Sequence, residues 1–428
     1  MKNNGENGQR VAGRTRPRRL LLCLDGVPYE IIEAAHARGL FDAFNAPSRL
    51  LSPFPTLTNV ALAAMFKASA PMGYESLYFD RSARELRGGV SKYIGRRTPD
   101  KVPSSYMDEL DYQEPLPFEF LIYVAPETVW RADLRRFHER FRAAPQDRDY
   151  FAFLKGTDGL LHICGRERLE VALLSLDRIL RDIHSACGAE TEIVLFSDHG
   201  MNLQENRRAH LQTQLRRSGY EMTDRLRGQG RRYVAAPAFG LCGYAALYCA
   251  DEEAASNVSD ALVPLEGLDF AIHRDGQTAI MVKGTRGTAR IRREVSTRGT
   301  LYRYEQITGD PLLLGVIVRA LDEEGLLEED GSAPDKIWFE RTASHIYPDA
   351  LANLYESLHT PRVHHTADVL ASFQDGYYYG SSFFSRFVTI AATHGNALRS
   401  STSAFLMSTH RTFSEHVRAT EANPLLKG

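Results

Sequence analysis

A chain of 428 residues that is 43% hydrophobic and 25% charged can bury a large core, and its balance is that of a globular protein, not a disordered or fibrous one. Its formal net charge of −2 predicts no general affinity for nucleic acid or membrane surfaces. Five cysteines (Cys23, Cys164, Cys187, Cys242, Cys249) without CxxC spacing exclude a disulfide framework and a thiolate zinc site, and fit a reducing compartment.

Residues 1–18 read as a flexible basic tail. The first structured element is RLLLCLDG, an apolar run that ends on Asp25 and suits a buried strand. Its apolar part is too short for a signal peptide, and no run of about 18 apolar residues predicts a transmembrane helix, so a cytoplasmic location and no membrane span are expected. SPFPTLTNVALAAMF (52–66) is a loop running into an apolar helix. FAFLKGTDG (151–159) and TEIVLFSDHG (191–200) are two further apolar runs that deliver an aspartate, Asp158 and Asp198, at their C-terminal ends. Between them RERLEVALLSLDRILRDIHSA (166–186) repeats Leu169, Leu173, Leu176 and Leu180 at helical spacing. From 240 to 305 short runs with turn signals predict a small inserted α+β subdomain, a helix flanked by antiparallel strands. The parts 19–239 and 306–415 are expected to form one catalytic domain, and 416–428 a C-terminal tail.

Strands alternating with helices predict an α/β fold with a mainly parallel sheet sandwiched by helices. Such sheets bind ligands at the carboxyl ends of their strands, so Asp25, Asp158 and Asp198 can meet at one edge. Bare carboxylates that converge raise one another's pKa or demand a cation, and His162, His199 and His394 beside them complete the mixed nitrogen and oxygen set that zinc accepts. Gly165, Gly200 and Gly395 accompany the histidines, as expected where backbone approaches closely. Asp158 and His162 taken alone are an ordinary i,i+4 pair on one helical face, which is more often solvated than ligating. Thr58 stands where the 52–66 helix begins. It is either an N-cap or a nucleophile, a hydroxyl activated by a divalent cation with the helix N-terminus favouring the phosphate it attacks.

The ordered set DG after the first strand, PTLT before a helix, Asp158 with His162, SDHG, and THG near the C-terminus resembles the alkaline phosphatase superfamily, nearest its nucleotide pyrophosphatase/phosphodiesterase branch, over roughly residues 20–410. The resemblance implies two zinc ions per chain, with Mn²⁺ as another divalent option. One would be held by Asp158, His162 and His394, the other by Asp25, Thr58, Asp198 and His199. It also implies a phosphothreonine intermediate on Thr58. The asparagine that related phosphodiesterases carry some twenty residues after the nucleophile has no clear match in GYESLYFD (73–80). Asn59 is the candidate for binding a phosphoryl oxygen, as in the similar Thr-Asn pair of phosphonoacetate hydrolases. The Cys/Ser-x-Pro-x-Arg pattern of sulfatases is absent.

The function implied is a metal-dependent phosphodiesterase or nucleotide pyrophosphatase acting on a small phosphorylated or nucleotide-like substrate, with no stable nucleic-acid partner. A phosphomonoesterase or phosphonate hydrolase with the same metals, or a relative that binds without turnover, are the alternatives. Adjacent His364 and His365 face opposite ways if extended, which suits packing or solvation better than one metal. The arginine-rich run 207–232 is a solvated helix and loop or a supply of guanidinium groups for an anionic substrate. The aromatics of DGYYYGSSFFSRF (375–387) suit a core better than a base-stacking surface.

Overall fold

Alternate residues of the first strand, Arg19–Leu24, face opposite sides of a seven-stranded sheet. Leu20, Leu22 and Leu24 pack with Ala152, Leu154, Ile193 and Leu195 beneath Trp130, Phe137 and Leu173. Leu21 and Cys23 pack with Phe151, Phe153, Val194 and Phe196 against Ala61, Leu62 and Met65. Burial on both faces is why these strands read as unbroken apolar runs instead of alternating ones. The computed structural model describes residues 18–89, 102–122, 124–188, 190–228, 230–297, 299–381 and 390–427. Of the tail expected at 1–18 only Arg18 falls among them, and it is buried, with its guanidinium 4.2 Å over the ring of Phe141.

The strand order is His416–Arg418, Ser48–Leu51, Ser403–Ser408, Glu192–Ser197, Arg19–Leu24, Tyr150–Leu154, Tyr112–Gln113. Only Ser403–Ser408 runs antiparallel to its neighbours, so the sheet is mainly parallel, and the α/β class expected from the alternating pattern is the observed one. The segment expected as a C-terminal tail is not one. His416–Arg418 forms the edge strand beside Ser48–Leu51, and Leu426 is fully buried.

A second seven-stranded sheet is antiparallel throughout. Its strands at 244–309 enclose the helix Glu252–Leu262, whose N-cap Asp251 accepts from the Ala254 amide at 2.9 Å. The sheet does not close within 240–305, the bounds expected for an insertion. Val369–Phe373 lies between Tyr244–Leu247 and Leu268–Arg274, and Ala333–Pro334 extends the far edge. The reason is pairing: Val369–Phe373 satisfies the backbone of two strands that would otherwise be open edges. One face of this sheet is covered by Glu252–Leu262 and the other by Ala350–His359. Among the described residues no helix is long and apolar enough to cross a membrane.

Candidate metal centre and active site

The register of the first sheet builds the site. Leu24 lies opposite both Leu154 and Ser197, so the three parallel strands end level and the residues after them emerge at one edge. Asp25 follows the first strand and Asp198 with His199 the third. Tyr150–Leu154 runs directly into the helix Gly156–Cys187, which carries Asp158 in its first turn and His162 one turn later. Gly165 breaks the helical path with φ 66° and ψ −158°, so the helix is two pieces joined at a kink. His394 arrives from the loop before Ser403–Ser408.

Each histidine is held by its Nδ1. His162 bonds the Ala392 carbonyl at 2.7 Å, His199 the Gly200 carbonyl at 2.9 Å and His394 the Thr56 carbonyl at 2.7 Å. A carbonyl only accepts, so Nδ1 carries the proton in all three and each Nε2 is left with a lone pair. These Nε2 atoms lie against carboxylates: His162 3.3 Å and His394 3.7 Å from Asp158 Oδ1, His199 3.4 Å from Asp25 Oδ1 and 3.3 Å from Asp198 Oδ2. Asp25 Oδ2, Asp158 Oδ1 and Asp198 Oδ2 are buried without a hydrogen-bond donor. Lone pairs facing unpaired buried carboxylate oxygens are unfavourable unless a cation lies between them, and the fixed Nδ1–H to carbonyl bond is the usual support of a metal-binding histidine. The donors sort into two sets, Asp158, His199 and His394, and Asp25, Asp198 and His199, each with its ligand atoms within 4.8 Å of one another. His199 thus stands between the two sets, and His162 touches Asp158.

Charge in the site is strained accordingly. Burial, with Asp198 and Asp158 nearby, pushes the Asp25 carboxyl well above the usual carboxylate range. Burial carries Asp198 up to about 6 although the Gly26 amide donates to it at 3.0 Å. Burial pushes His199 down to about 4 and His394 down to about 3. Partial burial raises Asp158 too, but the imidazoles of His162, His394 and His199 hold it below its ordinary value.

Thr58 is the first residue of the helix Thr58–Phe66. The capping position belongs to Leu57, which offers no side-chain bond. The Thr58 hydroxyl is therefore not spent on a cap: it donates to Asp25 Oδ1 at 3.2 Å and lies 3.3 Å from His199 Nε2. Thr56, two residues earlier, is structural. Its hydroxyl accepts from the Gly395 amide at 2.8 Å and donates to the Asn396 carbonyl at 3.1 Å, tying the His394 loop to the start of this helix. Gly395 has φ +113°, and a Cβ there would stand 3.1 Å from Cys242 Cβ, so close approach demands glycine.

Three neighbours escaped the sequence reading. Tyr106 donates its hydroxyl to Asn59 Oδ1 at 2.8 Å, which leaves the Asn59 Nδ2 as the donor of that amide. Lys155 acts on the charge of Asp25. Glu75 accepts from the Gly240 amide at 2.8 Å, with the Tyr244 hydroxyl at 3.4 Å and the Cys242 thiol at 3.8 Å, and burial pushes it up to about 7. Glu75 sits one strand from the centre, since the Gly243 amide donates to the His394 carbonyl at 2.6 Å.

Other candidates lie elsewhere. The ring of His365 stacks on Tyr78 at 5.5 Å, a packing role, and His364 is exposed. Tyr378 and Tyr379 are buried, whereas 382–387 of the aromatic run lie outside the described residues.

No family model matches the chain, and no curated protein matches its sequence. Its fold is that of solved structures. Phosphonoacetate hydrolase from Sinorhizobium meliloti 1021, in complex with phosphonoformate, matches with a TM-score of 0.53 at 12% identity, over 96% of this chain and 95% of that one. Human ectonucleotide pyrophosphatase/phosphodiesterase 5 matches with a TM-score of 0.49 at 12% identity, over 96% and 93%. The first likeness shows an alkaline phosphatase-like fold, the one that the ordered motifs imply.

Proposed function

We propose that the protein is a metal-dependent hydrolase of phosphoric esters, of the phosphodiesterase or nucleotide pyrophosphatase type, with Thr58 as its nucleophile. One observation carries the reading. Three Nε2 lone pairs and three buried carboxylate oxygens without donors, one each from Asp25, Asp158 and Asp198, converge near a part-exposed threonine hydroxyl, not spent on a cap, at a helix N-terminus. The donor set fits two divalent cations: Asp158, His162 and His394 would hold one, and Asp25, Thr58, Asp198 and His199 the other, with His199 near enough to serve either. Zinc suits this nitrogen and oxygen set, and Mn²⁺ is compatible with it. When bound, the metals supply positive charge that lowers the pKa of the hydroxyl and offsets charge on the phosphoryl oxygens.

The residues of the chain do the rest. The hydrogen bond to Asp25 orients the Thr58 oxygen, and the helix N-terminus behind it favours the anion. Thr58 Oγ1 gives up its proton to solvent and forms the new P–O bond while the P–O bond to the leaving group breaks and the leaving oxygen takes a proton from water; a second water then cleaves the phosphothreonine and restores the hydroxyl. Asn59, held by Tyr106, presents its Nδ2 to a phosphoryl oxygen.

The substrate is a small phosphorylated or nucleotide-like molecule. The Thr58–Asn59 pair and the name of the phosphonoacetate hydrolase neighbour support a second reading, hydrolysis of a phosphonate. Protein purified without chelator should contain about two equivalents of divalent metal and lose activity on chelation. In a panel of bis-p-nitrophenyl phosphate, p-nitrophenyl phosphate and phosphonoacetate, kcat/KM should favour the diester by about tenfold, 1.4 kcal/mol of transition-state binding. Less than one equivalent of metal with chelator-resistant activity overturns the reading, and a tenfold preference for the monoester or the phosphonate replaces it with the corresponding alternative.

A further inference from the structure

The fold takes the arginine-rich run 207–232 apart. Arg225 pairs with Glu85, Arg231 with Asp251 and Glu253, and Arg232 with Glu221, so these guanidinium groups are answered by surface acids. Arg207 and Arg208 behave differently. They form a two-residue strand parallel to Tyr377–Tyr378, and the following chain turns into the helix Leu211–Arg217. Arg207, Arg208, His210 and Arg217 then line one cleft of about 460 Å³, closed on the far side by Leu265 and Glu266.

The charge of the cleft is one-sided. Glu266 pairs with Arg207 at 2.8 Å, and Tyr377 lies 4.5 Å beneath that guanidinium while donating its hydroxyl to the same Glu266 at 3.0 Å. Among the described residues no carboxylate pairs with Arg208 or Arg217, so two permanent cations face the space in a chain whose net charge is negative. Arg208 Nε is buried and finds no acceptor. A buried donor without an acceptor is unfavourable, and Arg208 keeps its charge without a carboxylate to answer it. The Arg207–Glu266 pair is 69% and 72% exposed, so it contributes little and can open at low cost.

We propose that this cleft is a binding site for a phosphate-class oxyanion, recognised by Arg208 and Arg217 with Arg207 at the rim and separate from the metal centre. Planar guanidinium forks match the tetrahedral oxygens of such a group, and none of the cleft residues belongs to the constellation around Thr58. The inference does not rest on the proposed catalysis.

The test is calorimetric titration of pyrophosphate, and separately of AMP, into the whole 428-residue chain after chelation, so that no metal-bound phosphate contributes. Saturable binding of either anion is expected; pyrophosphate alone marks a free phosphate site, and AMP a nucleotide-borne phosphate. Arg208→Gln/Arg217→Gln should weaken binding at least tenfold, and Arg207→Gln/Arg217→Gln, which alters only exposed side chains and keeps the fold, at least threefold. Asp25→Asn should leave the affinity unchanged. Absence of binding, affinity unchanged in both double variants, or loss of binding in Asp25→Asn overturns the proposal.

Discussion

Acids are crowded in two regions of this molecule, around the buried Asp349 in one and the buried Asp25 and Asp198 in the other, and are treated in opposite ways. Where the C-terminal edge strand meets the second layer, Arg418 serves Asp335 at 2.6 and 2.7 Å and Asp349 at 2.7 and 2.8 Å, so all four carboxylate oxygens are met by one guanidinium. At the carboxyl edge of the parallel sheet no arginine or lysine pairs with Asp25, Asp158 or Asp198 among the described residues, and imidazole lone pairs face them instead. A fold that answers buried charge with arginine in one place can do so in another. The unanswered cluster could therefore hold a cation, as proposed above, and the difference between the two regions is open to experiment.

The largest effect is expected at Thr58, the nucleophile of the proposed reaction. Thr58→Ala should lower kcat by on the order of 10³-fold or more while metal content and the unfolding transition stay as in the wild type. Thr56→Ala should lose less, since that hydroxyl braces the His394 loop. A dead Thr56→Ala beside an active Thr58→Ala would place the nucleophile in the wrong register.

The second contrast sets a paired acid against an unpaired one. Arg418→Met leaves Asp349 buried without its cation and should cost about 3–5 kcal/mol in urea unfolding with unchanged metal content. Asp25→Asn should do the reverse. In chelated protein, replacing a buried unpaired charge by an amide should stabilise, whereas in metal-loaded protein it should destabilise and lower the metal content by one equivalent. Equal signs for Asp25→Asn with and without metal would erase the distinction between the two regions.

Glu75 sharpens it further as a part-buried acid given hydrogen-bond donors but no cation. Burial raises its pKa from an ordinary 4.5 to about 7, so the folded chain holds a proton that the unfolded chain has already released between these values. Stability from this group is complete below about pH 4.5, falls as pH rises to about 7, and stays low above it, by up to about 3 kcal/mol. The difference in unfolding free energy between Glu75→Gln and the wild type should therefore grow in favour of the variant between pH 5 and pH 8. A difference independent of pH would mean that Glu75 is ionised and solvated throughout.

What could be read from the sequence follows from how far apart the partners lie. Asp25, Asp158 and Asp198 were legible because strands buried on both faces are continuous apolar runs, and an acid ending such a run stands out. The ordered motifs then brought in Thr58 and His394. Val369–Phe373 was not legible as part of the second sheet, since VLASF has no alternation and its partners lie roughly a hundred residues away or more. His416–Arg418 has too few residues to show a pattern. Glu75 looked like a loop acid in GYES, and nothing local in that segment signals its burial.

Tyr106 is the same lesson at the site itself, for its bond to Asn59 spans 47 residues. It offers the smallest expected effect. Its hydroxyl accounts for Asn59 Oδ1 and so decides which end of the amide remains to donate. Tyr106→Phe removes that hydrogen bond, worth about 1 kcal/mol, and should lower kcat/KM for the diester about fivefold without changing metal content. A purely structural tyrosine would lower activity by the same factor in any background. A positioning tyrosine would not: in Asn59→Ala, where no amide is left to orient, Tyr106→Phe should have no further effect, so the two substitutions should couple by nearly the full 1 kcal/mol. Additive losses would mean that Asn59 does not bind the phosphoryl oxygen through this arrangement, and would leave Lys155, a cation whose charge reaches Asp25, as the next to be substituted.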